Sequence, residues 1–221
     1  DPEANHLSDS KSRSRFEKLV FVSYHQFAGY NSHHGVPYYE SVVLRNAIEP
    51  IPEHVKPDPK DQVRIIYHTT PHRGLNILIP CFLELYKTFG DKIHLDVYSS
   101  FSIYGWESRD EEYNSLFDVC KEHPGITYHG AVPNSEIRLA LQKSHIFGYP
   151  SSWPETSCLA VIEAMSAGCT VVHPNLAALP ETTGDMCMMY PFDENPQLHA
   201  QKFFHTLRQA IHVTMAGGDY S

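Results

Sequence analysis

Apolar residues along this chain fall into short runs divided by longer stretches in which they return every three or four positions. The runs occupy residues 63–67, 93–98, 126–128, 145–149, 170–172 and 187–190. Runs of that length fit buried strands, and the stretches between them have helical period. Strands spaced by helices predict an α/β fold, a doubly wound Rossmann-like parallel sheet with helices on both faces. In such a sheet ligands sit outside the carboxyl ends of the strands, which singles out the loops after Tyr67, Tyr98, Tyr128, Tyr149 and Val172.

Punctuation within the pattern sharpens several boundaries. Ser108 and Glu111 have the spacing of a capping box ahead of Tyr113, Leu116, Phe117 and Cys120, an apolar stripe of helical period. Asn195 followed by Pro196 has the form of a cap and first-turn pair, and Ala200, Phe203, Phe204, Leu207 and Ile211 continue as one apolar face. Gly168 is placed to stop a helix. Two further strands are expected at 19–23 and 42–44, after a polar opening of 15 residues. Between residues 49 and 61 four prolines and several charges keep the backbone extended and block helix, which marks a linker. The resulting division is residues 1–48, a linker at 49–62, a sheet domain at 63–215 and a tail at 216–221.

Composition narrows the possible partners. Hydrophobic residues make up 42% and charged residues 19%, the profile of a chain that folds. The formal charge is -9 and no run of Lys or Arg stands out, which argues against nucleic acid and acidic lipid heads as partners. Every apolar run falls short of the roughly 20 residues needed to span a bilayer, and the polar start is unlike a signal peptide. The first residue is Asp rather than Met, so the chain is expected to be cut from a longer one. The five cysteines contain no CxxC pair and are expected to be reduced thiols, mostly in the core. Among the fifteen histidines, His199, His205 and His212 are spaced by six and seven rather than the four of a two-His metal face, and a solvated surface is the expected place for them.

The chemistry concentrates in Tyr149-Pro-Ser-Ser-Trp-Pro-Glu155-Thr-Ser-Cys-Leu-Ala-Val-Ile-Glu163-Ala-Met-Ser-Ala-Gly168, a strand end, a Pro-bounded loop and a helix. That helix is apolar almost all round except at Glu163, and a carboxylate there needs a polar partner. Free amides around Ser157, Cys158 and Leu159 at the helix start favour a phosphate. A carboxylate two turns further on can accept two hydrogen bonds from a vicinal diol such as a ribose. Plainer roles stand beside these: Glu155 as a helix-entry carboxylate, Glu163 paired with a core Arg or His, Arg73 in a surface turn, Trp153 in local packing. The Cys158 thiol sits at a helix N-terminus, where its pKa can fall. His25, His68, His72 and His129 lie near strand ends with no orienting carboxylate evident, and structural or solvated roles are expected for them.

The two glutamates seven residues apart in Pro-Glu155-Thr-Ser-Cys-Leu-Ala-Val-Ile-Glu163-Ala-Met-Ser-Ala-Gly168 resemble the signature of retaining glycosyltransferases of the GT-B fold, the glycosyl transferases group 1 family. Thr70-Pro-His-Arg73-Gly74 resembles that family's basic-Gly motif, and Tyr128-His-Gly130-Ala-Val132-Pro precedes a helix as in the family. Pro174-Asn-Leu-Ala-Ala-Leu-Pro-Glu181 resembles its Gly-rich loop without the usual glycines. Phe21-Val-Ser-Tyr-His and Val43-Leu-Arg-Asn46-Ala-Ile resemble its last acceptor-domain elements, so residues 1–48 are expected to be a remnant of the N-terminal acceptor domain.

The resemblance implies transfer of a sugar from a UDP- or GDP-linked donor to an acceptor hydroxyl with retention of configuration. It implies that Glu155 and Arg73 are catalytic, Glu155 on the transferred sugar and Arg73 on the diphosphate, and that Glu163 holds the ribose. Thr70, Gly74, Val132, Ser157, Cys158 and Leu159 complete the implied donor site. No cofactor and no metal is expected. The acceptor, a glycan, lipid or protein, would be held by the missing N-terminal domain. The expected location is cytoplasmic, with any membrane association peripheral and made through the missing part. A nucleotide-sugar epimerase or phosphorylase of the same fold, or a non-catalytic nucleotide-sugar-binding module, are the alternatives.

Overall fold

A computed structural model describes residues 2–184 and 186–217; Asp1, Asp185 and residues 218–221, the last being most of the expected tail, lie outside the described residues. The chain opens with a 3-10 helix at Pro2–Ser8 and a single turn at Ser10–Arg13 (α1). Strand Leu19–Phe21 (β1), helix Tyr24–His34 (α2) and strand Ser41–Val43 (β2) follow, and β1 and β2 pair in parallel as a sheet of their own. β1 falls inside the run expected at 19–23, and β2 overlaps the one expected at 42–44 but starts one residue earlier, at Ser41.

The regular part then unfolds as alternating strands and helices: Val63–Tyr67 (β3), Leu75–Phe89 (α3), Ile93–Val97 (β4), Asn114–Glu122 (α4), Ile126–Tyr128 (β5), Asn134–Lys143 (α5), Ile146–Gly148 (β6), Leu159–Ser166 (α6), Thr170–Pro174 (β7), Leu179–Thr183 (α7), Met188–Tyr190 (β8) and Pro196–Met215 (α8). The six strands form one sheet in the order β5-β4-β3-β6-β7-β8, with every neighbouring pair parallel. Its inner strands are largely buried on both faces: Val63, Ile65, Ile66 and Tyr67 of β3 are fully enclosed, as parallel strands covered by helices require. Strand order reverses between β3 and β6. A doubly wound sheet opens a crevice at that point, between the loop after β3 and the loop after β6.

Local sequence accounts for several element ends. The Asn195 side chain accepts from the backbone N–H of Gln197 (3.0 Å) and Leu198 (3.1 Å) with Pro196 in the first turn, so α8 starts where the cap pair indicates. Gly168, at φ +67, ends the α6 segment in the left-handed conformation that glycine adopts freely. The capping box expected at Ser108 and Glu111 does not form. Residues Glu107–Tyr113 make 3-10 turns and α4 begins only at Asn114, with no side-chain cap. Asp110 is the cause: its carboxylate accepts from the Phe101 N–H (2.8 Å) and the Ser100 hydroxyl, tying this segment to the loop after β4. The stripe it was to lead still buries Phe117 and Cys120.

The proline-rich stretch between the two sheets is free of helix and strand, but it is strapped to the larger sheet domain. Ile51 is buried and its N–H donates to Ser166 Oγ (2.9 Å), Arg138 holds the carbonyls of Glu49 and Pro50, and the Lys56 ammonium donates to the carbonyls of Leu141 and Ser144. Cys81, Cys120, Cys158 and Cys169 are buried and Cys187 half-buried, all as free thiols. His205 and His212 are exposed, whereas His199 is not the solvated residue expected. It lies on the core face of α8, within 3.3 Å of both the Tyr190 hydroxyl and the Pro150 carbonyl oxygen. Among the described residues, no helix is long and apolar enough to cross a membrane.

Candidate functional site

The crevice at the strand-order reversal is built by two loops that approach unusually closely. After β3 the chain makes a 3-10 turn at Pro71–Arg73 and enters α3 through Gly74, whose φ is +106. A Cβ at Gly74 would lie 2.3 Å from the carbonyl oxygen of Pro150 in the loop after β6. Glycine therefore lets the two loops close on each other. Buried Tyr67 braces the first loop by donating its hydroxyl to the Thr70 carbonyl (2.9 Å).

Across the closed gap Arg73 meets Glu155. The guanidinium Nε lies 3.1 Å from Glu155 Oε1, close enough for an ion pair but off the hydrogen-bond axis, which leaves Nε without a hydrogen bond. Tyr149, at the end of β6, donates its hydroxyl to the same oxygen at 2.6 Å. Glu155 is only 6% exposed. Burial works against the Arg73 charge, and the Glu155 carboxylate with lesser help from Tyr149, Cys158 and Tyr104 raises its pKa overall.

A cleft of about 270 Å³ opens from this pair. Thr70, Arg73, Val132, Glu155, Ser157, Cys158 and Leu159 all line it, so most of the residues singled out from the sequence come together. Gly74 stands outside the lining and acts there through the close approach to Pro150. Glu163 also stands outside it, one turn of α6 beyond Ala160, which is part of the wall. The polar partner that Glu163 requires is supplied by α5: Asn134 Nδ2 donates to its Oε1 at 3.0 Å, and Arg138 Nη1 is 3.9 Å away.

The start of α6 faces the cleft with no side-chain cap, its cap residue being Cys158. The Cys158 thiol does not gain the lowered pKa that a helix N-terminus can confer. Burial, and after it the Glu155 carboxylate, pushes it up to about 11. His68 lines the cleft against the Phe147 ring, and burial lowers its pKa to about 3, so it is neutral. His72 stacks on Phe101 (5.2 Å, 12°), with the half-exposed Trp153 set edge-on against it. His129 departs from expectation, because a carboxylate does orient it: its Nε2 is 3.0 Å from Asp96 Oδ1. Among the described residues no group of three or more His, Cys, Asp or Glu is placed to hold a metal ion.

Four contributors to the site escape a reading of the sequence. Tyr149 reads as an ordinary strand end, yet its hydroxyl orients Glu155. Tyr98 and Ile137 line the cleft from the β4 and β5 side, reaching it only through the strand order. Asn46 belongs to the segment before the proline-rich strap and still lines the cleft; its neighbourhood, Val43-Leu-Arg-Asn46, carries the only sequence signal.

A six-stranded parallel sheet with its crevice beside an uncapped helix start is the architecture of the C-terminal domain of GT-B glycosyltransferases. The sequence profile of glycosyl transferases group 1 matches residues 67–217, more than half of the chain, and the chain belongs to that family. The O-antigen chain mannosyltransferase B of Escherichia coli is 36% identical over 81 residues, covering 37% of this chain and 20% of that protein. Among solved structures, an S. aureus TarM variant in complex with fondaparinux, alpha-GlcNAc-glycerol and UDP superposes with a TM-score of 0.65 at 14% identity, over 93% of this chain and 40% of that one. An E. coli structure described as trehalose-6-phosphate bound with UDP-2-fluoro glucose gives a TM-score of 0.68 at 11% identity, over 93% of this chain and 56% of that one. In each case this chain spans well under two thirds of the relative's length, and at such identities the structural likeness is one of fold.

Proposed function

We propose that the cleft binds a UDP- or GDP-linked sugar and that the chain supplies the donor site of a retaining glycosyltransferase acting on a hydroxyl of a glycan, lipid or protein. The observation that carries this reading is the Arg73–Glu155 pair, held across the crevice beside the uncapped start of α6. Guanidinium and backbone amides are the groups that bind phosphate oxygens, and a charge leaving on a diphosphate is stabilised most by donors already in place. Arg73 and the amides around Ser157, Cys158 and Leu159 take that part, with the Thr70 and Gly74 backbone at the turn beneath it. Diphosphate charge is then met by protein donors, without a call on a metal ion.

Glu155 accepts hydroxyls of the transferred sugar, fixed for that by Tyr149. Glu163 accepts the ribose diol, exchanging part of its contact with Asn134 for the ligand. The base lies toward Val132, Tyr98 and Ile137, the apolar side of the cleft. The UDP and UDP-2-fluoro glucose in the two similar structures, and the mannosyl transfer named for the E. coli relative, support a nucleotide sugar as donor.

Residues 1–48 fit a remnant of an acceptor-binding domain. Two three-residue strands do not make an independently stable sheet, and Val20 and Val42 at its centre stay exposed. Asn46, which lines the cleft, supports a reading in which such a domain borders the donor.

Calorimetric titration of UDP and GDP into the wild type and Glu163→Ala tests the assignment. Loss of roughly 1.5 to 3 kcal/mol of binding is expected, the scale of hydrogen bonds to a charged group. Unchanged affinity in a folded variant would remove Glu163 from the ribose and with it the proposed direction of the donor.

A further inference from the structure

Asp96 is a carboxylate inside a sheet, 4% exposed, on a strand whose other core positions are apolar. It is held by two cationic or potentially cationic groups from the strands on either side. Arg64 Nη2 of β3 lies 2.6 Å from Oδ2, and His129 Nε2, just past β5, lies 3.0 Å from Oδ1. His94 stands 4.0 Å from the same Oδ1. The His129 backbone is fixed as well, its N–H donating to the Val97 carbonyl at 2.9 Å.

With its backbone and one ring nitrogen both fixed, the His129 imidazole lies flat on the Tyr98 ring, 4.0 Å between centroids and 6° from parallel. Tyr98 is a shared wall. It lines the cleft described above, and it also lines a second cavity of about 350 Å³ bordered by Arg64, Asp96, His129 and Glu136. A ring with open volume behind it would be free to rotate away from a ligand, because side chains hold one rotamer only where neighbours fill the space. The imidazole occupies that side. The residues after His129, Gly130 to Val132, line the cleft directly, so the same anchor also sets their backbone.

We propose that Arg64, Asp96 and His129 form a positioning relay that holds Tyr98 and the Gly130–Val132 backbone as the wall against which the nucleobase of the donor rests, making Tyr98 a specificity-determining residue. The inference rests on the donor-site reading above. Arg64 and Asp96 act only through His129, and His129 only through Tyr98 and the backbone it anchors. The relay therefore bears on the base end of the ligand and leaves the diphosphate end to Arg73.

The test compares His129→Ala with His129→Phe in the full chain. Both variants lose the bond to Asp96, but phenylalanine keeps a ring against Tyr98. Binding is measured for UDP and uridine, or GDP and guanosine if the wild type prefers them, and for inorganic pyrophosphate, with thermal stability followed in parallel. His129→Ala is expected to weaken nucleoside and nucleoside diphosphate by the same roughly three- to tenfold, the range an aromatic stack supports, with pyrophosphate unaffected. His129→Phe is expected to recover most of the loss while remaining as destabilised as His129→Ala. Base affinity that follows stability equally in both variants, or that is unchanged in His129→Ala, would overturn the relay while leaving the donor site standing. A wild type that binds neither nucleotide would overturn the donor site and the relay together.

Discussion

Ala177 is the one residue other than glycine with a positive φ among those described, at +51. It stands in the loop after β7, in the stretch that resembles a Gly-rich loop without the usual glycines, and its backbone takes a conformation that glycine adopts more freely. A Cβ in the left-handed region costs about 1 to 2 kcal/mol, partly offset because alanine restricts the unfolded chain more than glycine does. The next residue, Ala178, donates its N–H to the Glu155 carbonyl (3.1 Å), so the strained loop also supports the site. Ala177→Gly is therefore expected to raise stability by about 0.5 to 1 kcal/mol, read as a higher urea midpoint at unchanged slope. A lower midpoint would mean that the alanine methyl makes a packing contribution larger than the strain. At this scale the sequence is informative where chemistry is local and silent where it is not. The need of Glu163 for a partner follows from its apolar neighbours along one helix. The Asp96–His129 pair joins residues 33 apart, and only the adjacency of β4 and β5 reveals it. For Cys158 the local rule points the wrong way, because burial outweighs the helix terminus.

Among the elements, α2 shows how the smaller sheet is tied to the larger one. Ser23 Oγ accepts from the Gln26 N–H, and the carboxylate of Glu181 in α7 takes the two amides that remain beside it, Tyr24 at 3.0 Å and His25 at 3.1 Å. Arg45 approaches the same carboxylate at 3.4 Å. A carboxylate on free amides at a helix start is worth about 1 to 2 kcal/mol. Glu181→Ala is thus expected to speed hydrogen exchange in the first turn of α2 roughly tenfold while β3 and β4 keep their protection. Exchange unchanged in α2, or raised across the whole sheet, would contradict the tie. The inner strands of the large sheet are legible because burial on both faces writes runs that are mostly apolar, whereas Thr127 of β5 and Met189 of β8, on the edge strands, stay exposed. The 3-10 turns at Glu107–Tyr113 are not, since they follow from Asp110 reaching back to Phe101 rather than from any periodicity. The proline-rich stretch is correctly free of helix, but its attachment through Ile51 and Lys56 depends on a groove between α5 and α6 that composition does not describe.

For the whole molecule, the alternation of runs and helical stretches carries the class of fold, and the order of strands, which it does not carry, decides where the crevice opens. That order brings the loops after β3, β4, β5 and β6 around one cleft and lets Asn46 reach it from the smaller sheet. The central claim is that this cleft holds a diphosphate on Arg73. Its most direct test is a titration of a nucleoside diphosphate and the matching nucleoside into the wild type and Arg73→Ala, with and without EDTA. The expected result is chelator-independent binding of the diphosphate, weakened by about 1.5 to 3 kcal/mol in the variant, with nucleoside affinity little changed, because a guanidinium recognises phosphate oxygens and a nucleoside has none. Equal losses for both ligands would show Arg73 acting through the folded shape of the crevice, and binding abolished by EDTA would place the diphosphate on a metal rather than on Arg73.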